Sequence, residues 1–563
     1  MQQKNIILEG DKFIIAFPYN PTTVDKMRTL LNRVFDKNRK VWVVEVNAKN
    51  VGILQSMSFT WSDEAKKVGD SVISNHQEAI EKSRATHSDF YVPYLHERLF
   101  PFQRGGVEYI EHNKGRVLIG DEPGLGKSAQ SLAWLQLHPE LLPVLIISPS
   151  TVKYNWKDEV YKWVLNTNPI CIDSQSGYKV GKDNDIVIIN YDILIKYYDS
   201  IMREGFKVLI LDECHYVKNK SAQRSQCVKA LAESIPHVIG LSGTPFLNRP
   251  IEIFNILNII KPSLFPDEGK FQWRYCNPKK TYFGWKFEGA SNTAELSEIL
   301  RANVMIRREK KDVLLELPDK TRTVVNLDID MSEYLYASDR LVDWLVLNKN
   351  VTYEEASEKV AKAEGFLKLE YLKYIAVKHK IKQCVSWVKD FLDNGQKLVL
   401  FAHHKEFIDT LLEEFKEYEP LTIIGSDSAE QRNINIKLFQ SDPSRQLIIC
   451  GIKAANMGIT LTAASTVAFL ELDFVPAVHL QGEDRVHRIG QKNCANIYYF
   501  IAKNTIEEDI YSLLEEKYVI FQQVMSDNHT GSFKEGIEME SIEAQLLRRL
   551  NKKPTCESKG KTK

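Results

Sequence analysis

A chain of 563 residues is too long for one ordinary domain and leads us to expect three or four units. Hydrophobic residues at 44% and charged residues at 26% exclude a disordered or fibrous chain. The 74 Lys+Arg and 74 Asp+Glu residues cancel, which excludes a wholly basic surface but leaves room for a local basic groove. Taken in chain order, residues 1–60 read as a small α+β module, with strand-like FIIAF at 13–17 and KVWVVEV at 40–46. Residues 61–95 read as a polar helical connector. Then come short β-branched and leucine-rich runs at 117–120, 144–148, 186–190, 208–212 and 238–243, spaced by segments long enough for crossover helices. Runs without polar alternation fit strands buried on both faces of a parallel sheet. A second series follows at 397–401, 422–425, 446–450, 466–472 and 497–502. The expected fold is therefore α/β: a first parallel-sheet lobe over 96–265 and a second over 381–530 that ends in a brace helix. Between them 266–380 reads as protruding helices and an inter-lobe linker. The lysine-rich 531–563 reads as a C-terminal tail.

The eight cysteines include no CxxC pair, so neither a zinc module nor a disulfide framework is expected, and a reducing compartment fits. The apolar runs fall far short of the roughly 20 residues that span a bilayer, and the start lacks a secretory pattern, so no membrane association is expected. The expected location is cytoplasmic, or nuclear if the source is eukaryotic.

The strongest local signal is GDEPGLGKS at 120–128, between a strand-like run and a helix-like one. Its glycines let backbone N–H groups approach phosphate oxygens, and the following helix N-terminus adds partial positive charge. The loop residues Asp121, Glu122, Pro123, Gly124, Leu125, Gly126, Lys127 and Ser128 are the nucleotide-binding candidates. Lys127 is expected to reach the β- and γ-phosphates of ATP, and the Ser128 hydroxyl to hold Mg²⁺. Asp121 stands where the simplest pattern has glycine. The run VLILDECH at 208–215 delivers Asp212 and Glu213 at a strand's carboxyl end, where α/β sheets place ligands. Asp212 suits the metal and Glu213 suits the attacking water, although alone the pair also reads as surface carboxylates. SGTP at 242–245 adds Ser242 and Thr244, two hydroxyls fit to link the metal site to a bound polymer. The second lobe has no phosphate loop. It has QGEDRVHRIGQ at 481–491, where Arg485 and Arg488 are three apart and share a helix face. Their planar, fixed charge suits a γ-phosphate in its transition state. His403 and His404 read as a strand end rather than a metal site.

These motifs, with PFQRGGVEYI at 101–110, ISPSTVKYNW at 147–156, MIRREKKDVLLELPDK at 305–320, KLVLFAHH at 397–404 and AANMGITLTAAST at 454–466, resemble the superfamily-two helicase core of the Swi/Snf type. The resemblance implies two RecA-like lobes, an adenine contact at Gln103, and action of Arg485 and Arg488 on the phosphates. It also makes the run at 305–320 the passage between lobes. AANMGITLTAAS and EDRVHRIGQ are similar to the annealing-helicase branch, and residues 13–42 resemble a HARP (HepA-related) module. What this implies is an ATP-dependent translocase on duplex or forked DNA, remodelling or annealing strands, with contacts largely indifferent to sequence. Ser150, Thr151, Asn155, Thr460 and Thr462 are the candidate DNA contacts. The alternatives are a strand-unwinding DNA or RNA helicase and a non-hydrolysing scaffold; intact Lys127, Asp212, Glu213, Arg485 and Arg488 weigh against the scaffold.

Overall fold

The computed structural model describes residues 4–173, 186–245, 249–281, 284–287, 289–349, 352–362, 366–452, 458–525 and 545–546. Two compact units emerge: residues 1–85 with 298–305, and residues 86–297 with 306–563.

The first unit is built on a five-stranded sheet. Its strands run in the order Arg33–Asp36, Val41–Glu45, Lys12–Ala16, Asn5–Glu9, Thr60–Trp61. All neighbours are antiparallel except the last pair. Two helices begin on asparagine caps: Asn20 accepts from Thr23 N at 3.0 Å and Asn47 from Asn50 N at 2.9 Å. The segment expected to be a connector is a helix, Asp63–Ser83, capped by Ser62. It is not free-standing: Ala65, Val72 and Ile73 pack into the sheet's core with Phe13, Val44 and Leu54. The module therefore reaches past residue 60, because this polar helix still carries a narrow apolar stripe. His76 Nε2 meets Glu298 Oε1 at 2.9 Å within the same unit.

The second unit contains two parallel sheets. In the first lobe six strands of a seven-stranded sheet run in the order Arg116–Ile119, His237–Leu241, Val208–Asp212, Val144–Ser148, Ile186–Asn190, Pro169–Cys171. Every pair is parallel, and Val144–Ser148 and Ile186–Asn190 are buried along their whole length. The second lobe runs Lys320–Leu327, Ala495–Ala502, Thr466–Phe469, Leu398–Ala402, Leu447–Gly451, Leu421–Ile423, again all parallel.

The second lobe begins earlier than the sequence suggested. Strand Lys320–Leu327 pairs residue by residue with Ala495–Ala502. The long helix Phe366–Leu392 lays Val377, Ile381, Cys384, Val385 and Val388 into the core of that lobe. The helices read as protrusions at 331–380 are thus largely layers of the second lobe. Lys380, wholly buried, donates to Glu507 Oε1 at 2.6 Å and so ties this helix to the brace helix Ile506–Met525. Outside the described residues lie 453–457, which belong to the AANMGIT run, and nearly all of the tail over 531–563.

Candidate nucleotide site between two lobes

The loop at 120–126 leaves strand Arg116–Ile119 and enters helix Lys127–Leu137. Gly124 and Gly126 hold φ of +92° and +77°, a region that a side chain would strain. Lys127 Nζ donates to the Asp121 carbonyl at 3.0 Å. Burial lowers its pKa, and the nearby charges of Glu213, Asp121 and Asp212 work against that. Ser128 follows as the second residue of the helix.

Asp121 departs from expectation. Its carboxylate is fully buried. It accepts from Arg308 N and Nε, each at 3.0 Å, and pairs with Arg308 Nη2. Gln130 Nε2 adds a bond at 3.0 Å. Burial alone would raise this carboxyl, but the Arg308 guanidinium holds it low. The Asp121 carboxylate therefore braces the loop against Arg308 and Gln130. Glu122 accepts from Lys310 N at 2.7 Å and is likewise engaged with the linker. Pro123 packs on Gly243 of SGTP, where a Cβ would meet the proline ring at 2.7 Å. Leu125 is buried and its carbonyl accepts from Gln103 Nε2 at 3.2 Å. Gln103 Oε1 accepts from Phe100 N at 3.0 Å. Its amide thus ties the phosphate loop to the start of its own helix.

Asp212 ends strand Val208–Asp212, and Glu213 follows in a left-handed turn at φ 47°. Trp156 Nε1 donates to Asp212 Oδ2 at 2.7 Å. Burial and the adjacent Glu213 charge push Asp212 up. Burial acts against Glu213 as well, but His215, Lys127 and Ser242 hold it down. Ser242 Oγ donates to Glu213 Oε2 at 3.0 Å, and His215 Nδ1 lies 3.2 Å from the same oxygen. Thr244 Oγ1 is buried without a hydrogen-bond partner. Cys214 is buried and its thiol is pushed well up by burial and the two carboxylates, which removes thiolate chemistry there.

A divalent cation fits this arrangement. Two abutting half-buried carboxylates, one of them raised, gain from added positive charge. Among the described residues no three His, Cys, Asp or Glu side chains form a metal cage. Mg²⁺ needs none, since it takes one or two carboxylates and leaves its other positions to phosphate and water.

The second lobe closes the site. Arg488 sits against the phosphate loop: a Cβ on Gly124 would lie 3.0 Å from the Arg488 Cβ. Arg485 is 8% exposed, and its pKa is drawn down to about 10 by burial and by Arg488, against the charges of Asp484 and Glu213. Arg485 is buried and Arg488 half-buried. Both donate to the Ile459 carbonyl, at 3.3 and 3.1 Å, and Leu461 N donates back to the Arg485 carbonyl at 2.9 Å.

Sequence reasoning missed the linker's part. Lys310 Nζ, buried, donates to Asp484 Oδ1 and the His487 carbonyl, both at 2.6 Å, so the linker is bonded to the arginine-bearing segment. Arg307 Nη1 donates to the carbonyls of Gly120 at 2.5 Å and Gly243 at 3.1 Å. A cavity of about 270 Å³ is bounded by Glu122, Thr244, Lys310, Lys320, Asp484 and His487. The available signal was the cationic run RREKK at 307–311 just after an apolar one.

Among the candidate polymer contacts, Asn155 and the segment before Thr460 approach each other from the two lobes. Ser150 and Asn155 are exposed in the first lobe. A Cβ on Gly458 would lie 3.3 Å from Val152 Cγ1 and 3.9 Å from Asn155 Nδ2, which brings the segment before Thr460 to Asn155. The Thr462 hydroxyl accepts from Gln440 Nε2 at 3.3 Å. The Thr151 side chain lies outside the described residues. Of the histidine pair, His404 Nδ1 is bonded to Glu471 Oε2 at 2.5 Å.

Two parallel-sheet lobes, one with a phosphate loop and a paired acidic strand end, the other with two arginines against that loop, define a two-lobed phosphate-loop protein. Family comparison agrees. Residues 58–385 match the SNF2-related domain and residues 379–490 the helicase conserved C-terminal domain. The chain belongs to the SNF2-related family. It is 31% identical over 538 residues to a Caenorhabditis elegans homolog of SWI/SNF-related matrix-associated actin-dependent regulator of chromatin subfamily A-like protein 1, covering 92% of this chain and 76% of that one. It is 31% identical over 534 residues to the Xenopus laevis protein of that name, covering 92% of this chain and 54% of the relative. It is 33% identical over 444 residues to the Bos taurus "DNA annealing helicase and endonuclease ZRANB3", covering 76% and 41%. The chain thus spans about half the length of several relatives it matches. A solved Sulfolobus solfataricus SWI2/SNF2 ATPase core in complex with dsDNA aligns at 25% identity and a TM-score of 0.38, covering 76% of this chain and 93% of that one.

Proposed function

We propose that the chain is a DNA-dependent ATPase that translocates on duplex or forked DNA and remodels or anneals its strands. The observation that carries this is the composite cleft, in which Arg488 of the second lobe abuts Gly124 of the phosphate loop. Loop amides and Lys127 bind the phosphates, and Glu213, aligned by Ser242 and His215, orients the attacking water. Mg²⁺ held by Ser128 and Asp212 supplies charge neutralisation at the phosphates when bound. Arg485 and Arg488 stabilise charge that grows on the transferred group. ATP binds across both lobes and favours the closed cleft, and hydrolysis removes that bias. Asn155 and the segment at Thr460 meet where the lobes meet, so closure shifts a polymer held there. Hydroxyl and amide groups suit the phosphate backbone, which carries no sequence information. The HARP-like module at the N-terminus acts as a reader of DNA structure. The place of action is wherever the chain's DNA lies, the cytosol in a bacterium or the nucleus in a eukaryote.

The test is steady-state ATP turnover with single-stranded, duplex and forked DNA and with RNA. Duplex or forked DNA is expected to stimulate strongly, RNA little, and Lys127→Ala to abolish turnover with every partner. Stimulation by RNA above that by DNA would overturn the proposal in favour of an RNA helicase, and absence of turnover with every nucleic acid would leave a scaffold.

A further inference from the structure

An aromatic and basic surface on the first lobe has no part in the cleft. Helix Glu268–Tyr275 buries Phe271 and Tyr275 against Phe265, with Phe254 also on Phe271. Its other face, about 200° away at 100° per residue, carries Trp273. Trp273 is 51% exposed and Trp285, on the hairpin Lys279–Thr281/Gly284–Lys286, is 49% exposed. The two rings meet edge to face at 4.6 Å, and Phe287 joins Trp273 at 5.6 Å. The helix is anchored by Phe271 and Tyr275, so its fold does not require Trp273.

Lysine shares this surface, with Lys280 on the hairpin face of Trp285 and Lys279 and Lys286 on the alternate face. Lys270, Lys279, Lys280 and Lys286 are exposed, and Lys280 stands directly opposite Trp285 in the hairpin register. The acids of the flanking helices are already matched: Glu268 by Lys220, and Glu295 by Arg274. The surface therefore presents flat, wettable rings beside positive charge. A folded duplex offers its phosphates but hides its base faces. An unpaired strand offers both, and aromatic stacking inside a basic groove is how sequence-indifferent single-strand binders hold it. We infer that Trp273 and Trp285 form a stacking platform for unpaired bases of a single DNA strand. This rests on the DNA-motor reading above and names the strand state that the motor engages away from its cleft.

The test uses the full chain and a labelled oligothymidylate, with affinity measured at two salt concentrations. Trp285→Ala is expected to weaken binding about tenfold, the size of one lost stacked base. Trp285→Phe, which keeps a ring against Trp273, is expected to restore most of it. Lys280→Glu, at an exposed position, is expected to weaken binding and flatten its salt dependence. Iododeoxyuridine in the oligomer is expected to crosslink to Trp273 or Trp285. Unchanged affinity in both Trp285→Ala and Lys280→Glu would overturn the platform and leave the tryptophan pair as a protein-docking patch. Duplex-stimulated ATP turnover, measured on the same proteins, reports the motor separately. Stimulated turnover with unchanged single-strand affinity sinks only the platform, and absent turnover sinks only the motor.

Discussion

Asp121 occupies a phosphate-loop position yet spends its carboxylate on Arg308, both side chains being almost wholly buried. Removing one partner of such a pair leaves an uncompensated charge in a medium that cannot solvate it. Asp121→Asn is therefore expected to cost about 3–5 kcal/mol of stability, read by denaturant unfolding. At temperatures where the variant stays folded, its ATP affinity should change little; a large affinity loss with full stability would return Asp121 to the ligand-binding residues. The places of Lys127 and Glu213 could be read from sequence because they depend on near neighbours, a glycine loop in one case and a strand end in the other. The role of Asp121 could not, since Arg308 lies 187 positions along the chain and only the fold brings them together. The bonds of Gln103 were hidden for a related reason: its amide partners, Phe100 N and the Leu125 carbonyl, are backbone groups that no side-chain pattern announces.

Strands buried on both faces, such as VLIIS and IVIIN, announce themselves by composition, and the structure places them where the sequence did. Strand Lys320–Leu327 escaped notice because KTRTVVNL sits at a sheet edge and alternates between exposed and half-buried residues. Its hold on the lobe is ionic as much as apolar. Lys320 Nζ meets Glu483 Oε2 at 2.8 Å, and Arg322 meets both Glu483 oxygens at 2.7 and 2.8 Å. Burial would raise Glu483, but Lys320 and Arg322 hold it at about 2, against an ordinary value of 4.5. A carboxyl depressed in the folded state contributes stability that is complete above its unfolded pKa and fades as pH falls toward its folded one. Glu483→Gln is thus expected to destabilise the chain by several kcal/mol at neutral pH. The gap between variant and wild type should narrow between pH 4.5 and pH 2. A gap that stays constant with pH in thermal unfolding would show that the charge of Glu483 is not what holds this edge strand. Helix Asp63–Ser83 was legible as a helix but not as a layer, because only Ala65, Gly69 and Ser83 of its residues are fully buried.

At the scale of the two lobes, neither half is complete alone. The first brings Lys127, Asp212 and Glu213; the second brings Arg485 and Arg488, and Lys310 from the linker is bonded to Asp484 and to the backbone at His487. This geometry separates binding from turnover. On the proposed function, substrate phosphates are gripped by first-lobe groups in the ground state, whereas the arginines matter most when negative charge spreads over the transferred group. Arg488→Ala is therefore expected to cut DNA-stimulated kcat by at least about 10³-fold, the lower end of what arginine fingers contribute, while ATP affinity moves only a few-fold. Lys127→Ala should lose affinity and turnover together. The comparison requires that Arg488→Ala leave the fold intact. That follows from its position, since Arg488 is only partly buried and its guanidinium bonds to a single carbonyl, that of Ile459. Wild-type turnover in Arg488→Ala would mean that the second lobe only packs against the loop, and hydrolysis would have to be explained by first-lobe residues alone.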